Sequence, residues 1–176
     1  MPGHSDDTTL LAGLIAGRAE AFAAVYDRFV HRLLAAAWGM LGNRADAEDA
    51  VQDVFAGLVR SRASLAKVEN LTAYLFASLR HAAARRRRRP GPGPLGDLPA
   101  AAPDGSPAGR AETRERAAQL ESALRCLPAE QREVIALKID GGLTFAEIAA
   151  VLRMNPNTVA GRYRRAIETL RRRLKE

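Results

Sequence analysis

Aromatic residues make up only 5% of this 176-residue chain, and cysteine occurs once, at Cys126. With so few rings, a core has to be built from Leu, Ala, Val and Ile. One cysteine excludes an intrachain disulfide and any zinc site made of several thiolates, and its simplest role is a small apolar filler on a helix. Runs of β-branched residues are few while Ala, Leu, Arg and Glu abound, so intrinsic propensity favours helix over strand. Between Met1 and Leu14, where Asp6 and Asp7 stand, there is no long apolar stretch of the kind a signal peptide or membrane helix needs. A cytoplasmic location without membrane insertion is expected. His4, His31 and His81 are scattered, no carboxylate pair adjoins a nucleophile motif, and no Gly-rich phosphate loop follows a strand. Neither an enzyme activity nor a cofactor or metal site is expected.

Positive charge is present in excess, with 27 Lys and Arg against 20 Asp and Glu, a formal +7. Such a balance suits a polyanionic partner, nucleic acid first among them. Six of the nine prolines fall between Pro90 and Pro107, interleaved with Gly91, Gly93, Gly96 and Gly105. That stretch has neither helical nor strand period and reads as a linker. The expected architecture is therefore all-α: a helical domain over residues 8–89, a flexible Pro/Gly-rich linker over 90–111, and a second helical domain over 112–176.

In the first domain, Leu10, Leu11, Leu14 and Ile15 start a helix, and Phe22, Val25, Tyr26, Phe29, Val30, Leu33 and Leu34 continue at spacings of three and four. Gly42-Asn43 is a stop and start signal for a helix from Ala45 to Arg60. On that helix Ala47, Val51, Val54, Phe55 and Leu58 share a core-facing arc, while Asp46, Asp49 and Asp53 lie on the opposite side. Asp49 and Asp53 repel at i and i+4, and no basic residue four positions on relieves them. The residues alone leave two readings equally open, a solvated face or a docking surface for a basic partner.

A further helix starts near Leu71, carries Tyr74, Leu75, Phe76 and Leu79, and ends in the five arginines Arg85 to Arg89. Such a run is either a disordered basic tract or a set of guanidinium groups laid along a phosphate backbone, and the second reading is favoured. Tyr74 and Phe76 are core residues or, alternatively, stacking faces for single-stranded bases.

The second domain reads as four helices, about Ala111–Cys126, Glu130–Ile139, Phe145–Leu152 and Pro156–Leu174. Thr144 with Glu147 matches a capping box, and Asn155-Pro156 pairs an N-cap with a first-turn proline. Ile148, Ala149, Leu152 and Val159 occupy the packing positions of a helix-turn-helix, so the last helix presents its N-terminal turns to a major groove. From Asn157 onward it carries seven basic residues against two glutamates. The alternative at this point is a stand-alone helix-turn-helix regulator whose first domain senses a ligand or dimerises.

Three stretches together resemble the sigma factors of bacterial RNA polymerase, specifically the small extracytoplasmic-function (ECF) group of the sigma-70 family. They are Ala47-Glu48-Asp49-Ala50-Val51-Gln52-Asp53-Val54-Phe55, Leu71-Thr72-Ala73-Tyr74-Leu75 through Arg80, and Leu127-Pro128 through Leu170 with Glu147-Ile148-Ala149, Thr158-Val159 and Arg165-Ala166. The resemblance implies that Asp46, Glu48, Asp49, Gln52 and Asp53 dock on the clamp helices of the polymerase's largest subunit. It also implies that Tyr74, Arg80, His81, Arg85 and Arg86, with the loop Ser61 to Asn70, open the −10 element. Asn157, Thr158, Arg162, Arg164 and Arg165 would then read the −35 element. The partners it implies are core RNA polymerase (clamp helices and flap region), promoter DNA and an anti-sigma factor. The chain departs from the family's pattern at Tyr74 (usually Trp), His81 (usually Asn), Ala160 (commonly basic) and Gly161 (commonly Ser).

Overall fold

The computed structural model describes residues 4–87 and 107–175. Arg88, Arg89 and most of the expected linker lie outside the described residues. Within them there is no strand. The helices are α1 (His4–Ile15), α2 (Ala19–Leu41), α3 (Arg44–Arg60), α4 (Leu71–Arg87), α5 (Pro107–Arg125), α6 (Ala129–Ile135), α7 (Phe145–Leu152) and α8 (Pro156–Arg173). A 3-10 segment, Arg62–Lys67, joins α3 to α4, and α6 widens into a π-helical turn over Ala136–Asp140.

Local chemistry accounts for most of these boundaries. Asn43 caps α3 by accepting the Asp46 N–H at 3.0 Å, and Asn70 caps α4 by accepting that of Ala73 at 2.8 Å. The Thr144–Glu147 capping box is formed in both directions, and Asn155 accepts the Asn157 N–H at 2.9 Å ahead of Pro156. Three expectations need correction. The apolar spacing from Leu10 to Leu34 is not one run but two helices, because Gly17 adopts a φ of 74°. Residues 107–111, read as linker, are helical, with Pro107 in the first turn, where its missing N–H costs nothing. Cys126 is exposed between α5 and α6 and fills no core position.

The two domains do not stand apart: one continuous apolar cluster takes Phe29, Leu33, Phe76 and Leu79 from the first domain and Val134, Leu137, Leu143 and Ile148 from the second. A smaller cluster of Ala123, Leu127, Ile135, Ala166 and Leu170 ties α5 and α6 to α8. Between the domains, Arg32 of α2 donates from Nε to the Gly141 carbonyl at 2.9 Å while its guanidinium lies 5.6 Å from the Phe76 ring centroid. Arg80 of α4 donates to Glu133 of α6 at 3.1 Å, and Glu133 is buried. Each fully buried Leu, Ile or Phe contributes about 1.5–3 kcal/mol, whereas a part-exposed ion pair contributes about 0–1 kcal/mol. Apolar contact therefore holds the domains together, and the two arginines set their register.

Close approach is possible because of two glycines. A Cβ on Gly39 would stand 2.7 Å from an Asp140 carboxylate oxygen, and one on Gly141 would stand 2.7 Å from the Leu137 carbonyl oxygen and 2.9 Å from the Phe76 ring. Gly141→Ala is expected to destabilise the chain by about 1–3 kcal/mol through overpacking, seen as a lower Tm; an unchanged Tm would contradict the close packing.

Burial pushes the Asp140 carboxyl up from 3.8 to about 6. Between those two values the folded chain keeps a proton that the unfolded chain has lost, so this group makes stability fall as pH rises through that window. Asp140→Asn should flatten that part of the profile and raise stability at neutral pH by about 1–2 kcal/mol, as read by chemical denaturation at a series of pH values.

Candidate nucleic-acid interface

On α8, Val159, Ala166 and Leu170 are buried and fix the helix against α5, α6 and α7. Tyr163 adds an edge-to-face contact with Phe145 of α7, ring centroids 5.4 Å apart. With that side anchored, the other faces water. Asn157, Thr158, Arg164 and Arg165 are exposed and, with Gly161 and Glu168, line one open groove. Four of the five residues expected on the recognition face thus come together. Arg162 does not; it turns toward α6, where Nη2 lies 2.7 Å from the Glu130 carboxylate.

A second polar cleft, of about 290 Å³, opens between α3 and α4. Tyr74, Ser78, His81 and Arg85 line it from α4, at positions that share a helix face, and Asp53, Gly57, Arg60 and Ser61 line it from α3 and the loop that follows. Three of the strand-opening candidates, Tyr74, His81 and Arg85, meet here; Arg80 faces the second domain and Arg86 is wedged between α3 and α4. Phe76 is fully buried, so of the two candidate stacking rings only Tyr74 is available. Arg60 was missed in the sequence. Its one signal there is a basic side chain at the end of α3, beside the loop.

The acidic face of α3 is less uniform than its spacing suggests. Arg44 pairs with Glu48 at 2.7 Å, and Asp49 and Gln52 are exposed. The repulsion between Asp49 and Asp53 is relieved, but from another helix: Arg86 lies 2.8 Å from Asp53 and 3.9 Å from Asp49, and Arg85 lies 3.4 Å from Asp53. The hydrogen bond from Arg86 holds the Asp53 carboxyl below its ordinary value; burial opposes it, and the charge of Arg86 with the hydrogen bond and charge of Arg85 keeps the net shift downward. Alongside, Tyr26, Val30, Val51 and Phe55 floor a groove of about 320 Å³ between α2 and α3, with Glu48 and Gln52 on its edge.

Residues 25–91 match the sigma-70 region 2 family and residues 117–170 match sigma-70 region 4. The chain belongs to the sigma-70 family. Two solved structures resemble it over nearly their whole length. One is CnrH in complex with the cytosolic domain of CnrY, with 27% identity, TM-score 0.69 and 97% of each chain covered. The other is the sigma factor RpoE in complex with the anti-sigma factor NepR from Bartonella quintana, with 26% identity, TM-score 0.68, and 89% of this chain and 98% of that one covered. No curated protein matches in sequence. In sigma-70 terms, α2 to α4 form region 2 and α5 to α8 form region 4. The chain is a sigma factor of the ECF group, directing promoter recognition in transcription initiation.

Two substitutions on α8 separate its faces. Nothing lies within 4 Å of a Cβ placed on Gly161, so Gly161→Ala is expected to stabilise the chain by about 0.5–1 kcal/mol through helix propensity, as a rise in Tm. Arg162→Ala is expected to lower stability by under about 1 kcal/mol and to leave affinity for a −35 duplex close to that of the unchanged chain. A loss of DNA affinity as large as that of Arg165→Ala would return Arg162 to the recognition face.

Proposed function

We propose that the exposed face of α8 reads the −35 element, that the cleft between α3 and α4 holds the opened −10 strand, and that α3 docks on core polymerase. The observation that carries the reading is the convergence of Asn157, Thr158, Arg164 and Arg165 on one solvent-facing side of a helix whose start is fixed by Asn155 and Pro156. Bidentate guanidinium groups there can meet guanine edges or phosphates. Tyr74 offers a ring for an unstacked base, and Arg85 and Arg60 offer charge for its phosphates. The docking candidates are Asp46, Glu48, Asp49, Gln52 and Asp53, with Glu48 and Gln52 on the edge of an apolar groove that suits a helix with a basic edge. Catalysis belongs to the polymerase and not to this chain.

Promoter binding requires the domains to part. The −10 and −35 elements lie about 25 base pairs apart, roughly 85 Å at the B-DNA rise, whereas a folded body of this size is about 40 Å across. The docked form cannot reach both. Residues 88–106 separate α4 from α5, and a chain of that length extends to roughly 65 Å, which with the domains themselves is enough.

We further propose an anti-sigma factor as a partner, as the complex of RpoE with the anti-sigma factor NepR suggests. A groove of about 460 Å³ between α2 and α5, lined by Leu34, Trp38, Leu120 and Leu124, offers apolar surface for it, and the Trp38 indole N–H there has no hydrogen-bond partner.

Transcription in vitro with core polymerase tests the reading. The chain should make core start at a promoter; tight operator binding by the chain alone, with no activation of core, would favour the stand-alone regulator. Asp49→Lys should weaken capture of core while leaving duplex binding by region 4 intact. Arg165→Ala should cost about 1–3 kcal/mol, at one base pair of the −35 element if it reads a base and across all sequences if it holds phosphate.

A further inference from the structure

Asp53 sits in the acidic stretch of α3, yet its surroundings differ from those of Asp49, four residues earlier. The Asp49 side chain is 64% exposed and its nearest guanidinium nitrogen is 3.9 Å away. Asp53 receives two arginines on one carboxylate oxygen, Arg86 at 2.8 Å and Arg85 at 3.4 Å. Arg86 is only 13% exposed. A guanidinium so far withdrawn from water needs a close carboxylate, and Asp53 is the nearer of the two it has. A basic helix of polymerase would have to displace Arg86 in order to pair with Asp53, leaving that arginine buried without its main partner. Asp49 carries no such obligation.

Asp53 also lines the cleft with Tyr74, His81 and Arg85. A lone carboxylate there would repel a phosphate backbone. Together, Asp53, Arg85 and Arg86 carry a net positive charge whose position is fixed: the carboxylate anchors Arg86 between the helices and draws Arg85 to the cleft wall.

We propose that Asp53 is a positioning residue for strand opening and not a contact to core polymerase: through Arg86 it locks α4 against α3, and through Arg85 it fixes the cation beside the Tyr74–His81 cleft. This rests on the sigma-factor reading of the chain and changes the role of one residue within it. Docking is left to the exposed residues of α3, with Asp49 foremost, and the two aspartates, one turn apart, act in successive steps.

The test compares Asp53→Asn, Asp53→Glu and Asp49→Asn in reconstituted holoenzyme, measuring core affinity and then permanganate reactivity of unpaired −10 thymines at saturating core. Asp53→Asn should bind core within about twofold of the unchanged chain but open the promoter about tenfold more slowly, as expected when a positioned group shifts by a fraction of an ångström. Asp53→Glu should recover most of the opening rate. Asp49→Asn should show the reverse pattern, weaker core binding with normal opening once core is saturating. Arg86→Lys keeps the charge but loses the planar guanidinium that reaches Asp53 with one nitrogen and Asp49 with the other; it should reproduce the opening defect, and combined with Asp53→Asn it should add little. Thermal melting of each variant separates misfolding from these effects, and Arg86→Lys keeps the idea testable if Asp53→Asn folds poorly. Asp53→Asn weakening core binding as much as Asp49→Asn, or opening at the normal rate, would overturn the proposal. If the unchanged chain never opened a promoter with core, the sigma-factor reading itself would have failed.

Discussion

The apolar seam between region 2 and region 4 is the constraint on which the rest of the structure depends. Phe76 and Leu79 on α4 and Phe29 and Leu33 on α2 share one core with Leu137, Leu143 and Ile148. A side chain at position 39 would crowd Asp140 and Ala136, and one at position 141 would crowd the Phe76 ring. That seam decides which residues of α4 are free. The side carrying Arg80 is turned to Glu133, and the side carrying Tyr74, His81 and Arg85 is left open toward α3. In the proposed reading it also makes the docked form and a promoter-spanning form mutually exclusive, so that a partner favouring one or the other would shift a two-state balance.

Charge in this protein is arranged by pairing as much as by excess. Glu48 is matched by Arg44 on its own helix, Asp53 by Arg85 and Arg86 from the next, and Glu133 by Arg80 across the domains. On α3, among the described residues, Asp46 has no ion pair and Asp49 only a distant one, and on α8 Arg164, Arg165, Arg171, Arg172 and Arg173 remain exposed. In the proposed reading, a basic protein thereby presents one acidic patch to core polymerase and separate basic surfaces to DNA, an arrangement that favours correct orientation during encounter.

The sequence carries its local signals openly. Asn43, Thr144 with Glu147, and Asn155 with Pro156 are caps whose chemistry acts within four residues, and the start of α3, α7 and α8 follows from them. Burial of Ile148, Ala149, Leu152 and Val159 follows from helical period in the same way. Effects that depend on distant residues are not legible. The relief of Asp53 comes from residues more than thirty positions away, beyond any i,i+4 rule. Arg162 is diverted to Glu130 by the packing of α8 on α6, although its spacing alone fits a groove contact. Domain docking has no local signal either, because an apolar stripe on α4 looks the same whether it faces its own domain or another. The π-helical turn after Ile135, which carries Asp140 to Gly39, has no composition of its own.

The distance between the domains tests the account most directly. With one fluorophore on an exposed position of α3 and its partner on the exposed face of α8, energy transfer should be high in the free chain and should fall on adding core polymerase and a promoter carrying both elements. The separation should then approach roughly 85 Å, the span between the elements along B-DNA. High transfer that persisted in an active promoter complex would contradict the claim that the seam must open, and low transfer in the free chain would contradict the seam itself.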